Sequence, residues 1–144
     1  MPFTFDTPEE AISELRQREY VFTLDQISGR PAAESFAAEN PSHVFFRDSV
    51  NVPGGVAASL LISTGQVRNM AVSNALTTML EHENEHVKPP YADFDTFLII
   101  LKNAVVRCAN RDNGAGYRLD DISVLRPNQP SLADDEAVPF NFFP

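Results

Sequence analysis

The sequence contains no tryptophan, only one cysteine and no long apolar run. A single cysteine, Cys108, cannot form a disulfide within the chain, so nothing in the sequence requires an oxidising compartment. A membrane-spanning helix needs roughly 18 or more apolar residues, and no stretch approaches that length. The opening residues MPFTFDTPEE also lack the basic flank and apolar segment of a signal peptide. We therefore predict no membrane partner and no secretion through a signal peptide, but a cytoplasmic location or an assembled particle.

Basic residues are scarce as well. Eleven Lys and Arg stand against 20 Asp and Glu, which gives a formal net charge of −9. Such a chain repels a phosphate backbone, so direct contact with nucleic-acid phosphates is not expected. The same charge suits an acidic inhibitor of a basic or nucleic-acid-binding partner, although many soluble domains are acidic for solubility alone.

The remaining composition is that of one folded domain. Hydrophobic residues make up 43% and charged residues 22% of the 144 residues, which is typical of a globular chain rather than a disordered one. No internal repeat or linker divides the sequence. We predict a single α+β domain over residues 1–126, followed by an extended acidic and aromatic C-terminal arm over residues 127–144.

Helix and strand signals are spread along this domain. Thr7 and Glu10 predict a capped helix start, with Pro8 in the first helical position and the helix reaching about Glu19. Further helices are expected at 31–39, 66–86 and 94–110, and Asn113-Gly114 is a stop for the last one. Strands are expected at 20–27, 43–52, 56–64 (with a buried helix as the alternative there) and 117–125. The expected fold is a small, mostly antiparallel sheet packed by two long helices, with extended aromatic arms at both ends.

The helix expected over 94–110 is apolar on two sides. At about 100° per residue, one stripe is formed by Phe94, Phe97, Leu98, Leu101, Ala104, Val105 and Cys108. Ile99 and Val106 lie together on a different side. A second apolar ridge lies either in the centre of a core or against another subunit, so both residues are interface candidates. We interpret Cys108 as a buried small hydrophobic residue, not a nucleophile.

One short segment matches a catalytic pattern. The residues from His82 to His86 read H-E-N-E-H and fit H-E-x-x-H, in which two histidines one helical turn apart bind zinc. Over these five residues the chain resembles the zincin metallopeptidases. The resemblance implies zinc as a cofactor, His82 and His86 as metal ligands, and Glu83 as the catalytic residue of a zinc-dependent hydrolase.

Other features of the segment favour a plain helix end. Glu85 would add a second carboxylate at a position that is usually uncharged in that family, which is costly when buried. No glutamate that could act as a third ligand follows until Glu136, and nothing selects among His43 and three downstream aspartates. Pro89 ends the helix soon after His86, where histidines interact favourably with the helix dipole. We therefore favour no catalytic residue and expect no cofactor, with zinc only under the hydrolase alternative.

Four arginines are concentrated along and after the helix expected over 94–110, namely Arg107, Arg111, Arg118 and Arg126. They hold an anionic ligand or pair with neighbouring acids, and surface ion pairing is the favoured interpretation.

Both ends of the sequence are rich in phenylalanine. Residues 2–5 and 139–142 share the form P-F-x-F, and five of the 11 phenylalanines lie at the two ends, namely Phe3, Phe5, Phe140, Phe142 and Phe143. Leaving these rings in water would forfeit roughly 2 kcal/mol each, so we expect them to dock. They pack either on their own domain or, for the C-terminal arm above all, on a neighbouring subunit by strand addition. All five are interface candidates.

These features predict a non-enzymatic subunit that assembles with itself or binds another protein. An oligomeric structural protein is the favoured form, and a virion component is one version of it. The zinc hydrolase and the acidic inhibitor remain the alternatives.

Overall fold

The computed structural model describes residues 1–127, so the three C-terminal phenylalanines lie outside the described part. In chain order, its elements are α1 (Pro8–Gln17), β1 (Val21–Phe22), α2 (Arg30–Glu39), β2 (His43–Asp48), β3 (Val56–Ser63), β4 (Gln66–Ala71), α3 (Val72–Glu81), α4 (Phe94–Asn113) and β5 (Ser123–Val124). A short 3-10 turn, Leu119–Asp121, precedes β5. The expected α+β class is confirmed, with four helices and a mixed five-stranded sheet in residues 1–127. No helix in this range is long and apolar enough to cross a membrane.

The sheet is built around an antiparallel meander. β3 pairs antiparallel with β2 on one side and with β4 on the other. The free edge of β2 carries two short parallel strands, with β1 alongside Phe46 and Arg47 and β5 alongside His43 and Val44. The long strands are therefore antiparallel, as expected, and only the two-residue strands are parallel.

Two cores cover the two faces of the sheet. Successive residues of a strand point to opposite faces, and in β2 this places Val44 and Phe46 in the larger core and Phe45 in the smaller one. The larger core also contains buried residues of α1, α3 and α4, such as Leu15, Leu76 and Leu101. The smaller core lies under α2 alone.

Local signals begin α1 and α4, and end α4, close to where the sequence predicts. Thr7 Oγ1 accepts a hydrogen bond from the Glu10 backbone N–H at 3.3 Å, while the Glu10 carboxylate accepts one from the Asp6 backbone N–H at 2.7 Å. At the start of α4, Asp93 Oδ1 accepts hydrogen bonds from the backbone N–H and the hydroxyl of Thr96, and these bonds lower the pKa of Asp93. Gly114 ends α4 with φ of 64°, a left-handed conformation that glycine adopts without a steric penalty.

The expected long helix over 66–86 is wrong at both ends. Residues 66–71 form β4, because Gly65, with φ of 77°, allows a tight turn that folds this segment back on β3. Helix α3 begins only at Val72 and ends at Glu81, so α4, at 20 residues, is the only long helix in residues 1–127. Pairing with β3 thus determines the structure of the first third of the segment 66–86.

The outer strands are also shorter than expected. The segments 20–27 and 117–125 supply only the two-residue strands β1 and β5, since each pairs with only one end of β2. By contrast, α2 and β3 occupy the expected positions.

The N-terminal arm packs on its own domain, which is one of the two arrangements considered above. Phe3 exchanges two backbone hydrogen bonds with Tyr91, at 3.0 and 2.7 Å. The rings of Phe3 and Phe5 lie 4.8 and 5.4 Å from the ring of Phe97, centroid to centroid, and are 7% and 3% exposed. The arm therefore completes the larger core over the beginning of α4.

Replacing Phe5 by alanine should show that the arm is part of the core. We expect the substitution to lower the free energy of unfolding by about 3–5 kcal/mol, measured by urea denaturation followed by circular dichroism. Leu24→Ala is the control, since Leu24 is 44% exposed and its loss should change stability by at most about 0.5 kcal/mol. A loss below about 1 kcal/mol for Phe5→Ala would contradict this role.

Candidate functional site

The H-E-x-x-H segment lies outside the helix. α3 ends at Glu81, and His82 has an extended backbone with φ of −66° and ψ of 144°. His82 Nδ1 accepts a hydrogen bond from the Asn84 backbone N–H at 3.0 Å, and the Asn84 side-chain oxygen accepts one from the His86 backbone N–H at 2.9 Å. Asparagine side chains compete in this way with helical hydrogen bonds. The expectation that this segment is the last turn of a helix is therefore wrong.

The zinc-hydrolase alternative loses the geometry on which it depended. His82 and His86 do not share one helix face, which is how H-E-x-x-H presents two imidazoles to one ion. Both histidines and Glu83 are exposed. Within residues 1–127, no group of three His, Cys, Asp or Glu side chains is placed to hold a metal ion.

The two residues of the proposed apolar ridge on α4 differ in their solvent exposure. Ile99 is 54% exposed, whereas Val106 is fully buried in the larger core. After Gly114 the chain returns along the side of α4 that carries Val106. There Asn110 Nδ2 donates a hydrogen bond to the Tyr117 carbonyl oxygen and Asn110 Oδ1 accepts one from the Tyr117 backbone N–H, both at 2.8 Å. Lys102 Nζ donates to the Leu119 carbonyl oxygen. The chain itself thus covers one end of the ridge and leaves Ile99 exposed.

Ile99 is therefore the interface candidate that the described structure presents to a partner. Phe3, Phe5 and Val106 contact their own core, so each has little surface left for a second chain. Phe140, Phe142 and Phe143 lie outside residues 1–127. A role of these residues at a subunit interface stays a prediction.

A groove opens between α3, α4 and β4, with a volume of about 420 Å³. We call it the α3–α4 groove. Apolar side chains line most of it, namely Met70, Ala75, Met79, Val87, Ile100, Ala104 and Cys108. Arg68 comes from β4, and Arg107 and Arg111 come from the last turns of α4. Methionine side chains are flexible and polarizable, which suits a surface that accommodates aromatic groups.

The arginines of the groove exceed the acids that pair with them. Asp112 accepts from Arg111 Nε at 2.7 Å and lies 3.2 Å from Arg68 Nη2, and the hydrogen bond from Arg111 lowers the pKa of the Asp112 carboxyl. Arg68 Nη1 also donates to Asn113, while its buried Nε has no hydrogen-bond partner among the described residues. Arg107 is exposed and forms no salt bridge within residues 1–127. The groove is thus locally positive on an acidic protein.

Only part of this arrangement followed from the sequence. Arg107 and Arg111 were noted as arginines on α4, and they do lie together. Arg126 lies elsewhere, with its guanidinium 4.2 Å from the centre of the Tyr20 ring. Arg68 was missed because its segment was expected to be helical, and only strand β4 places it beside α4. The alternation of Arg68 and Met70, two residues apart, is the signal that could have placed both on one strand face.

Comparison of the chain with protein-family models, with curated proteins and with solved structures finds no significant match. Function must therefore be inferred from the described surface and the sequence.

We expect the purified protein to contain no stoichiometric zinc, because no helix presents His82 and His86 together. Elemental analysis is the measurement, and His82→Ala should leave both the metal content and the melting temperature unchanged. About one zinc per chain, lost in His82→Ala, would contradict this expectation.

Proposed function

We propose that this protein is a non-enzymatic assembling subunit whose α3–α4 groove binds the acidic and aromatic C-terminal segment of a second copy. The observation that carries the proposal is the groove itself, an apolar, methionine-containing surface bordered by three arginines on a chain of net charge −9. A virion component remains one specific form of this proposal, and it rests on the sequence alone.

The C-terminal segment has the complementary chemistry. Asp134, Asp135 and Glu136 are followed by Phe140, Phe142 and Phe143. Carboxylates form strong, often bidentate, hydrogen bonds with arginine, and phenylalanine rings gain roughly 2–3 kcal/mol each on burial. One segment therefore supplies both carboxylates for the arginines of the groove and phenylalanine rings for its apolar lining.

The length of the groove along α4 matches the distance between the acids and the phenylalanines of the C-terminal segment. Arg111 and Ile100 are 11 residues apart in α4, which is about 16 Å along a helix. An extended chain covers about 16 Å between Asp135 and Phe140. With the acids at the arginine end, the phenylalanines would therefore reach Ile100, Met79 and their apolar neighbours.

The position of Arg126 favours a second copy over the same chain. Arg126 lies beside Tyr20, in a pocket of about 460 Å³ that Ile99 and Lys102 also line. Ala104 and Cys108, in the groove, lie roughly 140° to 180° around α4 from Ile99. The segment would have to cross the exposed face of α4 to reach its own groove, whereas the groove of a second copy requires no such path.

Charge reversal at Arg107 should weaken binding of a peptide that comprises residues 128–144. Loss of a charge-assisted hydrogen bond of about 1.5–3 kcal/mol predicts at least about a tenfold rise in Kd. The measurement is fluorescence anisotropy of the labelled peptide with the chain truncated after Pro127. Arg118→Glu is the matched control, because Arg118 is an exposed arginine outside the groove, and its Kd should stay within about twofold.

Two results would overturn this proposal. One is the absence of saturable peptide binding to the truncated chain. The other is an equal loss of affinity in Arg107→Glu and Arg118→Glu, which would indicate attraction without a defined site. Raising the salt concentration should weaken binding of the unmodified pair, because exposed charges are screened.

In the full chain, truncation after Val138 should weaken assembly and leave the thermal stability of the domain almost unchanged. Light scattering at micromolar concentration measures the first effect, and differential scanning calorimetry measures the second. A monomeric mass for the untruncated chain would count against assembly. A truncated chain that unfolds would place the segment within its own domain.

Substitutions at Ile99 and Val106 should distinguish a residue of the assembly surface from a residue of the core. Ile99→Asp should reduce the assembled mass with little change in unfolding free energy, since Ile99 is 54% exposed. Val106→Asp should destabilise each chain by about 3 kcal/mol or more, because it buries an unpaired carboxyl in the larger core. If Ile99→Asp leaves the mass unchanged, the Ile99 surface does not contribute to assembly.

A further inference from the structure

The sheet face under α2 contains a buried arginine with neutral partners. Arg47 is 5% exposed, and its Nε donates to Ser59 Oγ at 3.0 Å while its Nη2 donates to Asn69 Oδ1 at 2.9 Å. No carboxylate in residues 1–127 forms a salt bridge with it. Glu34, whose charge raises the pKa of Arg47, pairs instead with Arg30 at 3.3 Å.

This arrangement is costly without a counter-charge. Burial lowers the pKa of Arg47, and the nearby positive charge of Arg30 lowers it further. Charges removed from water are normally paired with an opposite charge. A guanidinium has five N–H donors, and Arg47 uses two of them in its hydrogen bonds to Ser59 and Asn69. The position therefore has unused donors and unbalanced charge.

The side chain of Asn69 is held in one orientation beside Arg47. Its Oδ1 accepts from both Arg47 and Ser59, the latter at 2.6 Å. Those bonds fix the amide with its oxygen towards Arg47, and the Nδ2 group is buried with no hydrogen-bond partner in the described part of the chain. A buried N–H without an acceptor costs roughly 1–3 kcal/mol.

Both residues line a cavity. Its volume is about 290 Å³, and Ser49, Asn51 and Ser73 add further polar side chains to its walls. Arg30 stands at the exposed end of α2, and Val50 and Val52, 55% and 59% exposed, come from the loop between β2 and β3. The N-terminus of α3, which has no side-chain cap, reaches the same cavity through Ser73 and adds a partial positive charge. A volume at the small end of ligand pockets fits a small molecule, not a macromolecule.

We infer that this cavity is a binding site for a small anion that carries a phosphate or carboxylate group. Arg47, held in place by Ser59 and Asn69, donates to the anion at the base, and Arg30 adds positive charge at the entrance. Arg47, Ser59 and Asn69 lie on the sheet face under α2, and the cavity shares Met70 with the α3–α4 groove but none of the groove's three arginines. The inference does not rest on the proposed assembly.

The test uses inorganic phosphate and citrate at constant ionic strength with sodium chloride. The melting temperature of the full chain should rise by about 3 °C or more with one of them and continue to rise with the logarithm of its concentration. Isothermal titration calorimetry should give one site per chain. A response to phosphate alone identifies a phosphate site, and a response to citrate alone identifies a carboxylate site.

Two variants and a control test whether the rise in melting temperature comes from anion binding in the cavity. Arg47→Met should abolish the response, and its melting temperature without ligand should equal or exceed that of the unmodified chain, because a buried charge has been removed. Asn69→Asp should also raise the melting temperature without ligand and remove the response, since the new carboxylate replaces the anion beside Arg47. Arg118→Met, an exposed arginine outside the cavity, should respond like the unmodified chain.

Several outcomes would overturn the inference. One is the absence of a saturable shift with either anion. Another is an unchanged response in both Arg47→Met and Asn69→Asp. If Arg47→Met does not fold, Asn69→Asp decides, because a lowered melting temperature in that variant would mean that Arg47 does not need a counter-charge.

Discussion

Strand β2 has to be buried on both of its faces, and much of the fold follows from that requirement. Val44 and Phe46 face the larger core, and Phe45 and Arg47 face α2, with none of the four more than 5% exposed. A strand of this kind needs helices on both sides of the sheet. Three helices cover one face, and α2 covers the other. The face with a single helix is left with a cavity, and the one charged residue of β2 that is buried lies there.

Features encoded by neighbouring residues were predictable from the sequence, and features that depend on distant pairing were not. Thr7 and Glu10 define the start of α1, and Gly114 defines the end of α4, because capping uses residues within one turn. β4 was missed, because its position depends on antiparallel pairing with β3 rather than on its own periodicity. The segment after Glu81 was mistaken for helix, since hydrogen bonds of a single asparagine, Asn84, competed with a favourable helical pattern.

The candidate sites, too, were predictable only where their residues are close together in the sequence. The sequence indicated a group of arginines on α4 but could not indicate which of them lack an acidic partner. Arg68 joins Arg107 in the α3–α4 groove from 39 residues away in the chain, and Arg47 meets Asn69 across three strands. Net charge was misleading in this respect. The value of −9 describes the average surface, whereas both candidate sites are local exceptions to it.

The shared edge of β2 has a consequence for how this domain forms during synthesis. β1 and β5 pair with opposite ends of one short strand, and Val44 pairs with Val124, 80 residues further along (124 − 44). Phe3 likewise pairs with Tyr91. Such long-range closures slow folding, because the entropy of bringing the ends together must be lost before the contacts form. A ribosome-bound chain therefore cannot complete its sheet until β5 has emerged, and part of the edge of β2 stays unpaired for most of translation.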